Sequence, residues 1–438
     1  DVNEEWISDK TRFACDGLIR QRLDRPYVRR GGKLEPATWD QAFQAIAGKL
    51  KGLDGAKIAA IAGDLADCEA IAALKDLMAG LGSANLDCRQ DGTALDASIR
   101  AGYLFNTTIA GIEDADVCLI IGSNPRREAP VINARIRKRY LMGGFRVGLI
   151  GEATDLTYGY QPLGAGADTL ARITAGDHAF AKVLENAERP MLIVGQGALT
   201  RSDGAAILAL ARDVAEKFNM VGDHWNGFNV LHTAAARVGG LDLGFVPASN
   251  GKDVAAILDA AATGDMDVVY LLGADEIDVS KLEKAFVIYQ GHHGDNGAHV
   301  ADVILPGAAY TEKNGTYVNT EGRVQRGNLA VFPPGQARED WAILRALSAV
   351  IGDPLPYDDL AQVRSRMAAI NPVFDGDDEI RTTAWGDFGQ RGQPQAGGFA
   401  SPVDNFYMTD PISRASVTMA NCTRALLDDN QGKTGTDG

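Results

Sequence analysis

Seven short apolar runs, each closing on a glycine, constrain the fold of this chain more than any other feature. They are KIAAIAG (57–63), DVCLIIG (116–122), FRVGLIG (145–151), PMLIVGQG (190–197), MDVVYLLG (266–273), AFVIYQG (285–291) and ADVILPG (301–307). Runs that are apolar throughout read as strands buried on both faces, the signature of parallel sheets covered by helices. Amphipathic helical stretches such as CEAIAALKDLMAGL and DGAAILALARDVAEKF lie between several of them. Glycine at a strand's carboxyl end lets the backbone turn sharply or approach something bound there. In open α/β sheets that edge is where ligands sit. Each glycine taken singly is better explained by a tight βα turn, because fold-level features rarely fix function.

The chain has 438 residues, more than one ordinary core organises, so two or three domains are expected. Hydrophobic content of 45% and charged content of 23% are those of a soluble globular protein. A net charge of −15 argues against a general nucleic-acid binder and against adsorption to anionic lipid. No apolar run approaches the ~20 residues needed to cross a bilayer. Cys15, Cys68, Cys88, Cys118 and Cys422 are far apart, with no C-x-x-C. That spacing excludes an iron–sulfur or zinc site built from consecutive thiolates, and suggests free thiols, most of them small core residues. The start, DVNEEWISDKTRF without Met, reads as the middle of a larger polypeptide or a processed product.

Several stretches carry more directional chemistry than a connection needs. Between Ala301 and Gly327, Glu312, Lys313, Asn314, Asn319, Glu321 and Arg323 are interleaved with Tyr310 and Tyr317. Such groups can bond each other, satisfy buried backbone or hold a ligand. Gly122-Ser123-Asn124-Pro125-Arg126-Arg127 follows a strand, so its amides and guanidiniums could hold a phosphate, or simply cap a helix. Gly195-Gln196-Gly197 lacks the third glycine of a dinucleotide fingerprint, with Thr200 in its place. His292 and His293 sit in GHHGDNGAH with Asp295 and His299, but adjacent histidines diverge and rarely chelate one ion. They are expected to hydrogen-bond the neighbouring loop instead. Arg135, Arg137, Lys138 and Arg139 make a basic helix face, solvated or used for docking. No G-x-S-x-G, H-E-x-x-H or Walker A sequence occurs.

Thr38 is placed to cap a helix carrying Trp39, Phe43, Ile46 and Leu50 at helical spacing, and a second amphipathic helix is built on Trp341, Leu344, Leu347 and Ile351. From Asp353 the chain turns Gly/Pro-rich and acidic, ending in a disordered-looking DDNQGKTGTDG.

ADVILPG, then TEKNGTYVNTEGRVQ, then PPGQAREDW resembles the segment that closes the cofactor cleft of molybdopterin oxidoreductases. WISDKTRF, RLDRPYVR, TWDQAF, NTTIAGIEDAD, GSNP, GHHGD and NFYMTDPISRASVTMANC extend the likeness, in order, along the whole chain. With them it resembles the large iron–sulfur subunit of respiratory complex I, NADH:quinone oxidoreductase. The resemblance implies an α/β fold of two doubly wound parallel-sheet units, one inserted in the other. The first unit would be residues 39–165 plus 298–350, the second 166–297, with an arm at 1–38 and an irregular tail at 351–438.

In that family [2Fe-2S] and [4Fe-4S] clusters lie in a part that would precede Asp1, and pass electrons from the flavin subunit toward quinone. This chain would then be the structural body of a subunit of the enzyme, with no catalytic centre, metal or cofactor of its own. Its partners would be other peripheral-arm subunits, including the flavin subunit, docking on the arm and on the Arg135–Arg139 helix. No nucleic acid or direct membrane insertion is implied. The location would be peripheral, on the cytoplasmic face of a bacterial inner membrane or the matrix face of the mitochondrial one. Asn85-Leu86-Asp87-Cys88 matches the N-x-D-C stretch of the formate dehydrogenase branch, yet Thr93 and Ala94 stand where its soft metal ligand and histidine would be. Asp91 is the other oxygen donor nearby, and residues 353–438 are too few for the domain that covers the pterin in active relatives. Ser123, Asn124, Glu312, Asn319 and Arg323 are the candidates for a vestigial cleft, with the Glu312–Arg323 loop closing it as polar packing. Two other readings stay open: a catalytic fragment of a molybdopterin oxidoreductase such as formate dehydrogenase, and a nucleotide-binding module.

Overall fold

A computed structural model describes residues 6–428. All seven glycine-ended runs are strands: Ile58–Ala62, Val117–Ile121, Arg146–Ile150, Pro190–Val194, Val268–Leu272, Phe286–Gly291 and Val303–Pro306. They divide between two sheets. The first runs in the order Lys33–Pro36, Tyr27–Arg30, Val303–Pro306, Phe286–Gly291, Val268–Leu272, Ile58–Ala62, Asn85–Asp87. Its pairings are parallel except at the hairpin edge, where Tyr27 lies opposite Ile304 in antiparallel register. The second runs Phe228–Val230, Pro190–Val194, Val117–Ile121, Arg146–Ile150, Gln161–Gly164 and is parallel throughout. Such strands need cover on both faces, and helices supply it. The α/β class and the two parallel-sheet units agree with the sequence.

The expected division between the units does not. Val303–Pro306 pairs with Phe286–Gly291, which pairs in turn with Val268–Leu272, so residues assigned to an insertion at 166–297 belong to the first sheet. The inserted strands run instead from Val117 to Val230, and the chain re-enters the first sheet at Val268. The physical reason is that the central strands of both sheets are equally buried and apolar. Nothing within such a strand encodes which neighbour it will join.

Two further expectations need correction. The arm is not merely laid on another surface, because Tyr27–Pro36 folds as a hairpin into the first sheet and brings that unit's start forward of residue 39. The tail is not irregular throughout. Leu360–Ile370 is a helix packed on helix Cys68–Gly80, with Val363 and Met367 buried, and Pro411–Ala415 and Val417–Thr423 are short helices. Most of DDNQGKTGTDG lies outside the described residues. The capped helix is as read: Thr38 and Gln41 form a reciprocal capping box on Trp39–Leu50, whose Phe43, Ile46 and Leu50 are buried.

What matters for function is where the carboxyl edges of the sheets meet. The Thr93 hydroxyl, beyond strand Asn85–Asp87, donates to Gln196 Oε1 beyond Pro190–Val194 at 2.8 Å, and the Ala94 amide donates to the Leu199 carbonyl at 2.9 Å. The two ligand-prone edges of the fold therefore face each other across one cleft.

Candidate cofactor cleft

Arg237 is buried behind the wall of the cleft, on Asp64, Asp91 and Thr93. It opens a short helix, Arg237–Asp242, and its side chain is only 1% exposed. Its guanidinium lies 3.0 Å from Asp91 and 3.7 Å from Asp64, and donates to the Thr93 hydroxyl at 3.1 Å. Burial disfavours its charge, but the carboxylates of Asp91 and Asp64 outweigh that and hold it protonated. Asp91 is the mirror case: burial raises its carboxyl, while Arg237 and Thr93 pull it below its ordinary value. Asp64 is less well compensated. Burial pushes it up to about 7 against the attraction of Arg237, with Glu276 and Asp91 adding repulsion. Both oxygen donors that the sequence left beside the expected metal position, Asp91 and Thr93, are thus engaged by this one cation.

The second edge is filled from within the chain in the same way. Ser123 and Asn124 follow strand Val117–Ile121, and the buried Glu128 carboxylate turns back onto them. It accepts from the Asn124 amide at 2.6 Å and the Ser123 hydroxyl at 3.0 Å. Burial raises the Glu128 carboxyl despite these bonds and a further one from the Gln196 amide. Donors that could have cradled a phosphate are bonded to an internal anion.

The glycines of this edge do permit a close approach, but to the chain itself. A Cβ on Gly195 would meet the Ser123 Cβ at 2.3 Å, and one on Gly197 would meet the Ala400 carbonyl oxygen at 2.0 Å. Ala400 belongs to a strap from the tail. The Phe399 amide donates to the Ala165 carbonyl at 2.7 Å, and Gly398 bridges Gly166 in an antiparallel contact. Arg201 donates to the carbonyls of Gly398 and Gln395, while Asp203 accepts from the Gln395 amide at 2.6 Å. Phe388, fully buried against Phe228 and Trp385, anchors the segment upstream. Burying a side chain of that size stabilises by about 2–3 kcal/mol.

Two cavities remain beside the strap. One of about 210 Å³ is lined by Ser123, Asn124, Arg127, Glu152, Thr154 and Ser401. The other, about 720 Å³, lies among Lys10, Cys15, Asp64, Asp91, Glu276, Tyr310 and tail residues including Phe406 and Asp410.

The five sequence candidates fall into three hydrogen-bonded groups. Ser123 and Asn124 share Glu128. Glu312 receives a bidentate pair from Arg22 of the arm and accepts from the Ala309 amide. Asn319 and Arg323 bond one another through Glu321, at the turn of hairpin Gly315–Val318/Val324–Gly327, and Arg323 reaches the Asp378 carbonyl. The loop also buries Lys313, whose ammonium lies 2.6 Å from both Asp67 and Asp340. Burial opposes its charge, but the two carboxylates raise its pKa. Asp67 also caps helix Cys68–Gly80, so one carboxylate ties the loop to a helix start.

His293 bonds the Gly17 carbonyl and His292, so the pair fastens the arm rather than the neighbouring loop. Among the described residues no group of three His, Cys, Asp or Glu is placed to hold a metal. Sequence reasoning missed Arg237, Glu128 and the strap. A carboxylate four positions beyond a strand-end turn was the one legible sign.

Comparison with known proteins agrees with this architecture. The family profile described as molybdopterin oxidoreductase matches residues 22–350. The chain belongs to the molybdopterin oxidoreductase family. Two shorter profiles match its ends: the C-terminal segment of the NADH-ubiquinone oxidoreductase G subunit at 384–422, and the NDSU1/NuoG-like 4Fe-4S domain at 1–16. The chain is 45% identical to the G subunit of NADH-quinone oxidoreductase from Rickettsia bellii over 97% of its own length and 61% of that protein. It is also 45% identical to the mitochondrial NADH-ubiquinone oxidoreductase 78 kDa subunit of Neurospora crassa, over 97% of this chain and 58% of that one. It thus spans about three fifths of the relatives it matches.

Two solved structures share the fold. Acetylene hydratase of Pelobacter acetylenicus has a TM-score of 0.51 at 14% identity, covering 77% of this chain and 62% of that one. A chain of the formyltransferase/hydrolase complex of Methylorubrum extorquens has 0.56 at 20%, covering 74% and 98%.

The family name implies a pterin-bound metal, and the residues present do not fit one. The glycine turns a dinucleotide would need are packed on Ser123 and Ala400, the amides at Asn124 and Gln196 are bonded to Glu128, and Arg237 holds Asp91 and Thr93.

Proposed function

We propose that this chain is the body of the large iron–sulfur subunit of NADH:quinone oxidoreductase, and that its own cleft holds no cofactor. The supporting observation is a cofactor fold whose ligand-facing edges are filled by its own Arg237, Glu128 and strap. The likeness to the Rickettsia bellii relative over 97% of the chain supplies the enzyme context. In this reading the chain scaffolds iron–sulfur centres carried by a neighbouring domain, contributing shape, docking faces and charge rather than a reacting group. Its partners are the other peripheral-arm subunits, the flavin subunit among them. Its location is the cytoplasmic face of a bacterial inner membrane or the matrix face of the mitochondrial one. Among the described residues no helix is long and apolar enough to cross a membrane.

The test is genetic and enzymatic. Membranes from source cells depleted of this chain should lose NADH:quinone reductase activity and regain it when the chain is resupplied. Full activity in depleted membranes would rule the reading out.

A further inference from the structure

The structure also carries a groove that the cleft does not use. It borders helix Pro130–Leu141, has a volume of about 700 Å³, and is lined by Trp6, Ile109, Val131, Leu141 and Met142, with Arg137 at its rim. Trp6 is 71% exposed, Leu141 64% and Met142 57%. Large apolar side chains standing together in water, rimmed by charge, mark a contact surface.

The rim has a sign. Arg135, Arg137, Lys138 and Arg139 share this helix in a chain of net charge −15. Glu113 pairs with Arg135 at 2.8 Å and Lys138 at 3.0 Å. Arg137 bonds the Thr157 carbonyl, and Arg139 bonds the carbonyls of Ala115 and Gly143. A carbonyl has no net charge, so these bonds orient the two guanidiniums and leave them cationic. The groove is concave, which suits protruding side chains better than a bilayer surface, and the acidity of the whole chain opposes anionic lipid.

We propose that this groove docks a protein subunit presenting an apolar ridge flanked by Asp or Glu side chains. The proposal rests on the reading of the chain as a subunit of a larger enzyme. Apolar side chains of the partner would fill the space beside Leu141 and Met142, and a carboxylate of the partner would pair with Arg137, the exposed guanidinium among the groove residues. The apolar contact sets the affinity, and the charges set orientation and salt dependence.

The test compares wild type, Leu141→Asp, Met142→Asp and Arg137→Glu in the assembled enzyme purified from source cells. The quantity read is chain recovered per enzyme, in washes from low to high salt. Wild type should be retained, which separates this test from failure of the subunit reading. Leu141→Asp and Met142→Asp should each cut retention by about tenfold or more. Arg137→Glu should give a smaller loss, greatest in low salt where the charges are least screened. Both apolar positions are exposed, so the isolated variants should melt with the wild type, and a large fall in their melting temperature would remove the support. Undiminished retention of Leu141→Asp overturns the proposal. So does a wild-type dimer that Leu141→Asp dissociates, which would make the occupant a second copy. Binding to anionic phosphatidylserine vesicles that Leu141→Asp abolishes would overturn it in favour of a membrane.

Discussion

Replacing Arg237 by Met removes the cation from the cleft while keeping much of its volume. Asp91, now 3.0 Å from the guanidinium, and Asp64, at 3.7 Å, would be left facing each other. Breaking a buried pair from one side typically costs about 3–5 kcal/mol. Protonation sets a ceiling on the share of Asp91. Neutralising an ordinary carboxyl, pKa about 3.9, costs about 4 kcal/mol at pH 7 and about 1.5 kcal/mol at pH 5. Asp91 is 28% exposed and Asp64 20%, so partial rehydration lowers the cost further.

The expected loss is therefore about 2–4 kcal/mol at pH 7, falling to about 1–1.5 kcal/mol at pH 5. The sign follows from proton linkage. In the variant the folded Asp91 pKa lies above its unfolded value, so the folded state binds the extra proton and loses stability as pH rises. In the wild type Arg237 holds Asp91 below its ordinary value, and that contribution is present above the unfolded pKa. The gap between the two proteins must widen with pH. Urea unfolding of both at pH 5, 6, 7 and 8, with m-values compared, measures it. A loss below about 1 kcal/mol at pH 7, or a gap independent of pH, would refute the reasoning.

Gly197→Ala adds a Cβ 2.0 Å from the Ala400 carbonyl oxygen, and overpacking of this kind costs about 1–3 kcal/mol. Hydrogen exchange at the Phe399 amide, bonded to Ala165, should accelerate in the variant, and unchanged exchange would mean the strap is not seated there. His292 and His293 are both held below the ordinary histidine pKa, chiefly by burial. Their contribution to stability is present above about pH 6.5 and is lost as pH falls through their folded values. His293→Gln should therefore be less destabilised than wild type on going from pH 7.5 to 5.5, as read by melting temperature, and equal losses would contradict this.

The elements of this fold were legible to different depths. Each glycine-ended run is a strand because an unbroken apolar run stopped by Gly can bury both faces and then turn. Which sheet each run joins was not legible, since Val268–Leu272 pairs with Ile58–Ala62 across more than two hundred residues and with no local signal. The hairpin Tyr27–Pro36 was hidden by its charges, which suit an exposed sheet edge as well as a free arm. Ser123 and Asn124 were found because a turn after a strand exposes amides. Their partner Glu128 is an ordinary acidic residue until the backbone folds it inward. Arg237 was unreadable for the same reason, because a buried guanidinium is identified by its carboxylates, and those lie far away in sequence.

Metal content is the most direct measure of whether the cleft is filled by the chain itself. The protein purified from its own source, in cells supplied with molybdate and tungstate, should contain only traces of molybdenum and tungsten per chain by elemental mass spectrometry. Its denatured extract should yield no pterin fluorescence. Either metal at near one atom per chain, together with an extractable pterin, would contradict the proposal that Arg237, Glu128 and the strap occupy the cleft in its place.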